Sequence, residues 1–315
     1  MDALALHRLD RLIWTMIALV AAIVIAATAV SDFRFEWRTF VAPGLGCLAL
    51  ALAGWFYRRW RSDLRLASGL SSTAQMIAFA AVGAPLSYLA ASANLPLQDH
   101  AFDAIDRALG LDWRGLLDWM NAQSALHPLF TLPYLSFTVQ ATTTVLALAF
   151  SNRLLQLRTF MLAFMLSAIV CIAISAIVPA EGAWGFYRLT PADYPAIVPA
   201  TRELHLPIFH GLRDGSLRMF TGTTSEGIIT FPSFHAALGV IFIVGLWPVP
   251  FLRWIGAAVN GLMIIATPID GGHYFIDVFA GIAIAVLCLV VARRITQVAQ
   301  RSTSAIAVMA PSAAS

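Results

Sequence analysis

The chain has 315 residues, of which 59% are hydrophobic and only 12% are charged. Soluble globular domains carry about 25% charged residues, so this composition excludes an ordinary soluble fold and predicts an integral membrane protein. All 20 basic residues are arginine, and the net charge is only +3. Because these arginines lie near the ends of apolar segments rather than in one patch, no nucleic-acid partner is predicted.

Eight apolar segments have about the length that crosses a membrane as a helix. They are residues 12–30, 39–57, 66–92, 129–150, 159–179, 231–249, 252–269 and 273–292. We therefore predict an all-α polytopic membrane bundle of about eight transmembrane helices, with the catalytic core in the C-terminal half. Residues 1–300 are predicted to form one membrane domain, and the small, polar residues 301–315 a disordered tail.

The distribution of arginines predicts the orientation of these helices. Twelve arginines lie in short segments on the side that holds both termini, whereas six of the remaining eight lie in two long loops. Arginine in short loops favours the cytoplasmic side, so both termini are predicted to be cytoplasmic in a bacterial inner membrane. The long loops 93–128 and 180–230 then face outward, on the periplasmic side.

Both outward loops have a composition that predicts more than a plain connection. In residues 97–121, apolar and charged side chains alternate, which predicts one or two amphipathic helices on the membrane surface, broken near Gly110. A lid or lipid-entry wall and a simple packed connection are both open as roles for these helices. The loop 180–230 is rich in proline and glycine, and an ordered loop of this length is more often functional than a linker.

The last predicted span begins with a histidine and a carboxylate four residues apart. On a helix, His273 and Asp277 lie on one face, where the carboxylate can accept the ring N–H, fix the tautomer and raise the basicity of the other nitrogen. A carboxylate within a span costs roughly 2.5–3.5 kcal/mol at mid-membrane, which makes Asp277 a functional candidate. The preceding Gly271 and Gly272 are expected to leave room for a substrate beside the ring.

The sixth predicted span begins with the sequence Pro232-Ser233-Phe234-His235. Proline suits the first turn of a helix, and the free N–H groups there bind anions, so Ser233 and His235 are predicted to lie beside an anion site. In the predicted topology, His235 and His273 lie at similar depth on the outer face. Two ordinary interfacial histidines are the alternative interpretation.

A metal site is an alternative with less support, since no tight ligand motif is present. A zinc or iron ion would need a further ligand, for which His205, His210 and Glu226 are candidates. The three cysteines lie in apolar segments without ligand spacing and are interpreted as small buried side chains. No metal and no other cofactor is therefore predicted.

Taken together, the two motifs resemble those of the type 2 phosphatidic acid phosphatase superfamily, which read Pro-Ser-x-His and His-x-x-x-Asp. The resemblance covers roughly residues 213–281. It implies that His273 is the nucleophile that takes the phosphoryl group, that Asp277 orients this ring, and that His235 protonates the leaving oxygen. It also implies that Ser233 helps to hold the phosphoryl oxygens.

Three departures from that pattern resemble one branch of the superfamily. The family's first motif contains a lysine, which this chain lacks, and Thr267 and Phe234 stand where the family usually has arginine and glycine. The motifs here are similar to those of the inositol phosphorylceramide synthase branch, Pro-Ser-x-His-x-Ala and His-Tyr-x-x-Asp. This resemblance implies transfer of a phospho-head-group from a membrane lipid to a lipid or polyol acceptor, as in sphingolipid or phospholipid metabolism.

Without lysine, arginine must meet the negative charge of the phosphoryl group. Arg213 and Arg218 precede the second motif, and guanidinium groups bind phosphate oxygens bidentately, although both residues also fit as ordinary loop arginines. Asp270 and Gly272 are predicted to contribute to substrate binding. Asp270 would bind hydroxyl groups of a head group, or else is a loop acid.

Other functions remain open at this point. A lipid phosphate phosphatase would use the same residues with water as the acceptor, and a membrane protein whose site has decayed would keep part of them. A lipid transporter or scramblase would need ionisable residues spread at midplane depth and internal repeats, and the sequence shows neither. The sequence predicts neither the donor and acceptor lipids nor the oligomeric state.

Overall fold

The computed structural model describes residues 2–200, 202–221 and 228–309 of the chain. It is 76% helical, and among the described residues the sheet is limited to one pair of two-residue strands. The predicted all-α class is therefore confirmed, and the long apolar helices fit a membrane bundle.

The first third of the chain forms the helices α1 (Asp2–Ala29), α2 (Trp37–Arg59) and α3 (Leu64–Ser92). α3 begins after Asp63, whose carboxylate accepts the N–H groups of Arg65 and Leu66, as an N-cap does. α2 packs mainly on α3, and only 6% of its apolar window is buried. An exposed apolar surface of this extent is typical of a helix that faces lipid.

The middle of the chain forms the short helices α4 (Asp99–Ala108) and α5 (Trp113–Ala122), a 3-10 turn (Ser124–Leu126), α6 (His127–Leu135) and α7 (Phe137–Phe150). α4 and α5 occupy the segment that was predicted to be amphipathic. α6 and α7 meet at an angle of 50°, close to Pro133, which lacks the N–H that a continuous helix needs. The predicted span 129–150 is therefore a broken helix.

The remainder forms α8 (Leu154–Ile177), α9 (Ala183–Phe186), α10 (Arg202–Asp214), α11 (Phe234–Leu246), α12 (Arg253–Asp270) and α13 (Phe275–Met309). The strands β1 (Arg34–Phe35) and β2 (Met219–Phe220) pair in parallel, with Arg34 opposite Met219. This pairing joins the connection after α1 to the loop 180–230.

The main core lies where α8, α11 and α13 pack together and against α1 and α3. Its fully buried side chains include Met161 and Leu162 of α8, Ile241 and Phe242 of α11, and Ala285 of α13. The two helices that begin at the sequence motifs, α11 and α13, are thus held side by side in the packed centre of the bundle.

Five described helices are long and apolar enough to cross a membrane, namely α1, α2, α3, α8 and α13, and a sixth span exists if α6 and α7 count as one. Each of the eight predicted segments is helical, but the count of eight spans is not confirmed. α11 has only 13 residues, about 20 Å, against a hydrocarbon core of about 30 Å. α12 has 18 residues with Arg253 and Asp270 at its ends, and it is not among the five helices that are apolar enough over that length.

The C-terminal helix extends beyond the last predicted span. α13 continues to Met309, so it includes the first part of the segment predicted to be a tail. Residues 310–315 lie outside the described residues.

Candidate active site

His273 lies in the short connection between α12 and α13, and Asp277 in the first turn of α13. One oxygen of Asp277, Oδ2, lies 3.3 Å from His273 Nδ1 and accepts the N–H of Tyr274 at 2.9 Å. The Asp277 N–H points back to the Tyr274 carbonyl at 3.2 Å. The contact from Asp277 Oδ2 to the Tyr274 N–H resembles one half of a capping box, in which a side chain three positions into the helix binds the N–H at its start. The helix start itself therefore fixes the carboxylate beside the imidazole.

The environment of His273 keeps its ring uncharged at neutral pH. The residue is 3% exposed, and burial lowers the pKa of His273 to about 4, while a hydrogen bond with the Thr230 backbone opposes this shift. A neutral ring whose Nδ1–H faces Asp277 carries its lone pair on Nε2. In this tautomer, Nε2 is the nitrogen that can act as a nucleophile.

The second histidine is brought to the same place by a close contact between α11 and α13. Ser233 caps α11, since its Oγ accepts the Ala236 N–H at 3.2 Å, and its own N–H donates to the Asp277 carbonyl at 3.0 Å. A Cβ on Gly281 of α13 would lie 2.1 Å from the Ser233 carbonyl oxygen, so only glycine permits this crossing. His235 follows Ser233 by two residues, and its ring interacts electrostatically with His273.

Aromatic side chains on both sides of the α6–α7 break hold the His235 ring. The Tyr134 ring stacks on it with centroids 4.1 Å apart and planes at 14°, and the Phe137 ring meets it edge-on at 5.2 Å. The Tyr134 hydroxyl lies 3.3 Å from His235 Nδ1. Because the rings are nearly parallel, this contact lies above the imidazole plane, and we treat it as stacking rather than as a hydrogen bond.

The space beside Gly272 is filled by the protein itself. Gly272 has a φ of +67°, and a Cβ there would lie 2.8 Å from Trp184 Cδ1. Its carbonyl accepts the Ala183 N–H at 2.8 Å, and the Trp184 indole N–H donates to the Ile269 carbonyl at 2.8 Å. A side chain at position 272 would therefore meet Trp184, which gives Gly272 a packing role, and its contribution to substrate binding stays a prediction.

Phe234 lies in the core rather than over the site. Its ring contacts Phe164 of α8 at 5.7 Å between centroids. The bulky side chain of Phe234 therefore packs between helices and does not itself cover the two histidines.

Asp106 of α4 caps α13 from outside, which the sequence analysis missed. Its two oxygens accept the N–H groups of Phe275 at 2.6 Å and Ile276 at 2.9 Å. These N–H groups belong to the first turn of α13, where no partner exists within the helix. Burial raises the pKa of Asp106, and these two hydrogen bonds oppose the shift.

Asp99, the first residue of α4 and seven residues before Asp106, holds the loop that covers Gly272. It accepts the N–H groups of Glu181 at 3.1 Å and Gly182 at 2.9 Å, and the Tyr274 hydroxyl at 3.0 Å. The sequence contains a sign of this role, because Asp99 and Asp106 are seven residues apart and therefore lie on one face of α4. Both are buried.

Asp270 is fully buried at the end of α12, where it contacts α6. Its Oδ1 accepts the Thr131 hydroxyl at 2.9 Å and lies 3.3 Å from His127 Nε2. His127, Thr131 and Tyr134 are spaced i, i+4 and i+7, so the sequence places them on one face of α6. That polar face of an apolar segment was a second signal that the sequence analysis did not use.

The two candidate arginines have different surroundings. Arg213 donates from Nη2 to the Leu95 carbonyl at 2.8 Å, and it interacts electrostatically with Glu181 and Asp99. Its Nη1 is buried without a hydrogen-bond partner among the described residues. Arg218 donates from Nη1 to the carbonyls of Leu212 and Leu217, so it stabilises the turn before β2.

The candidate metal ligands are dispersed. His205 contacts the Thr230 hydroxyl at 3.3 Å, and His210 pairs with Glu181 at 3.2 Å. Within the described residues, no group of three or more His, Cys, Asp or Glu side chains is placed to hold a metal ion. Glu226 lies outside the described residues.

Comparison with known proteins identifies a family for the part of the chain that contains the candidate active site. A sequence profile described as the PAP2 superfamily matches residues 100–291, which is more than half of the chain. The match includes α11 and α13 with both histidines. Searches of curated proteins and of solved structures gave no match.

Proposed function

Because this chain belongs to the PAP2 superfamily, we propose that it transfers a phosphoryl or phospho-head-group of a membrane lipid through a covalent intermediate on His273. Members of this superfamily are generally phosphatases or phosphotransferases, so phosphoryl chemistry is the premise. The observation that carries the proposal is the buried His273–Asp277 pair next to His235.

The geometry supports a two-step reaction. In the first step, Nε2 of His273 attacks phosphorus and the bond from phosphorus to the leaving oxygen breaks, while His235, which takes up a proton when the anionic substrate binds beside it, gives that proton to the leaving oxygen. In the second step, the acceptor hydroxyl gives its proton to His235 and attacks phosphorus, which releases His273. Asp277 stabilises the positive charge that His273 carries as the intermediate forms.

Two features support stabilisation of the phosphoryl oxygens. The N-terminus of α11, with Ser233 as its cap, directs backbone N–H groups toward an anion next to His235. Arg213 has one buried guanidinium nitrogen without a partner among the described residues, and a guanidinium is the only strong cation this chain has. We propose that both meet phosphoryl charge, with Asp270 recognising a hydroxyl group of the head group through the polar face of α6.

We favour transfer to an alcohol over hydrolysis. A transferase must hold a second substrate and keep water out. The connection that carries His273 is covered by Trp184, which packs on Gly272, and the motifs are similar to those of the synthase branch. The acceptor is proposed to be a lipid or polyol hydroxyl.

We also propose that the site faces the periplasm of a bacterial inner membrane, with both termini in the cytoplasm. The support is the twelve arginines on the opposite side of the predicted eight-helix topology, since short cytoplasmic segments are enriched in arginine.

The test gives purified full-length protein a phosphorus-labelled donor, phosphatidic acid or phosphatidylinositol. Diacylglycerol, ceramide or myo-inositol is added as acceptor, and His273→Ala measures the background. Transfer predicts labelled product that requires one of these acceptors, without loss of activity in a chelator and with inhibition by vanadate. Release of free phosphate or inositol phosphate at a rate that no acceptor changes would show hydrolysis instead. Activity that a chelator abolishes and one added metal restores would contradict the metal-free mechanism.

A further inference from the structure

The surface helix α4 is tied to the catalytic connection by two buried carboxylates. Asp99 and Asp106 are only 3% and 2% exposed, and Phe102 between them is also buried. A carboxylate is rarely buried unless hydrogen bonds compensate for its lost hydration. The donors from outside α4 lie in two segments next to His273, namely residues 181–182 and 274–276.

Asp106 determines the geometry of the turn between His273 and Asp277. The two N–H groups that it accepts, from Phe275 and Ile276, lie between these catalytic residues in the chain. They belong to a helix start, where a negative charge is favourable. Without Asp106, both partly buried donors would lose their acceptor, and the turn would lose a contact that holds its position.

Asp99 secures the other side of the same connection. It binds the N–H groups of Glu181 and Gly182 and the hydroxyl of Tyr274. The next residue along that loop, Ala183, donates its N–H to the Gly272 carbonyl. The residues on both sides of His273 are therefore held by hydrogen bonds that lead back to α4.

We propose that Asp99 and Asp106 are positioning residues for the His273 centre, and that α4 is a fixed part of the active site rather than a detachable lid. This inference rests on the proposed function for its effect on rate. The carboxylates hold the backbone and do not touch the substrate, so they act on the rate of the chemical step and leave substrate binding nearly unchanged.

The test compares two substitutions on α4. Asp106→Asn keeps the size of the side chain but turns an N–H donor toward a backbone N–H. We expect kcat to fall about 100-fold with KM near that of the wild type, because displacement of a reacting group by about 1 Å costs this much. Asp103→Asn is the matched control, since Asp103 binds Arg107 and Tyr187 instead of α13. We expect it to leave kcat unchanged.

Hydrogen–deuterium exchange of peptides covering residues 271–280 gives a readout that does not need the reaction. Exchange is expected to be faster in Asp106→Asn and unchanged in Asp103→Asn. Unchanged exchange in Asp106→Asn, or equal loss of kcat in both variants, would overturn the inference.

If Asp106→Asn does not fold, Asp106→Glu gives the same comparison with both oxygens retained. Faster exchange with a wild type that converts no lipid phosphate would refute the proposed function and leave the holding role of Asp106 supported.

Discussion

At His273, burial and hydrogen bonding shift the pKa of the ring in opposite directions. Burial lowers its pKa to about 4 against the Thr230 backbone contact, while Asp277 is available to stabilise the ring once it carries a phosphoryl group and a positive charge. A free histidine has a pKa of about 6.5, so this ring remains a nucleophile under conditions in which an exposed histidine is partly protonated. The same environment therefore favours the neutral ring before attack and tolerates the charged ring after it.

The role of His235 as the acid predicts a dependence on the leaving group. His235→Ala should slow turnover of an alkyl phosphate ester about 100-fold or more, since general acid catalysis contributes roughly 10²–10⁴. A 4-nitrophenyl ester needs no proton on its leaving oxygen, so its loss of rate should be much smaller. Parallel kinetics on the two ester types measure this difference. Equal losses on both would remove the acid assignment.

Arg213 and Arg218 form a matched pair for locating the cation that meets phosphoryl charge. Arg213→Lys keeps the charge but loses the planar fork, so kcat/KM is expected to fall about tenfold or more. Arg218→Lys should mainly lower thermal stability, because Arg218 donates to the Leu212 and Leu217 carbonyls. Steady-state rates and melting temperatures separate the two effects. Wild-type rates in both Arg213→Ala and Arg218→Ala would show that the charge is met elsewhere.

At the scale of helices, the site depends on how closely α11 crosses α13. A Cβ on Gly281 would lie 2.1 Å from the Ser233 carbonyl oxygen, whereas one on Gly261 of α12 would meet nothing within 4 Å. Gly281→Ala must push the two helices apart, and with them His235 from His273. We expect a loss of about 1–3 kcal/mol in stability, as overpacked cores show, and a larger loss of kcat than in Gly261→Ala. Equal stability and activity in the two variants would contradict this view of the crossing.

The local sequence was sufficient for helices and for residues close together in the chain. The four-residue spacing predicted the His273–Asp277 pair, which the structure shows at 3.3 Å. It was not sufficient for contacts between distant segments. Asp106 binds residues 169 and 170 positions away, and no periodicity encodes such a partner. The count of eight spans is not confirmed, because α11 is apolar throughout but has only 13 residues.

At the scale of the whole molecule, the proposed orientation places loops 93–128 and 180–230 outside the cytoplasm. The three native cysteines are first replaced by alanine, which breaks no disulfide. A single cysteine at Pro195 should then react with a membrane-impermeant thiol reagent in intact cells, and a single cysteine at Arg61 only after lysis. The opposite labelling pattern would move the active site to the cytoplasmic face.

The central claim is that His273 carries the phosphoryl group, and trapping the intermediate tests it most directly. Wild-type protein is mixed with phosphorus-labelled phosphatidic acid or phosphatidylinositol, quenched in alkaline denaturant, which preserves phosphohistidine, and mapped by mass spectrometry. The account predicts label on His273 in the wild type, and no covalent label in His273→Ala. Label on another residue, or turnover by His273→Ala at the wild-type rate, would contradict it.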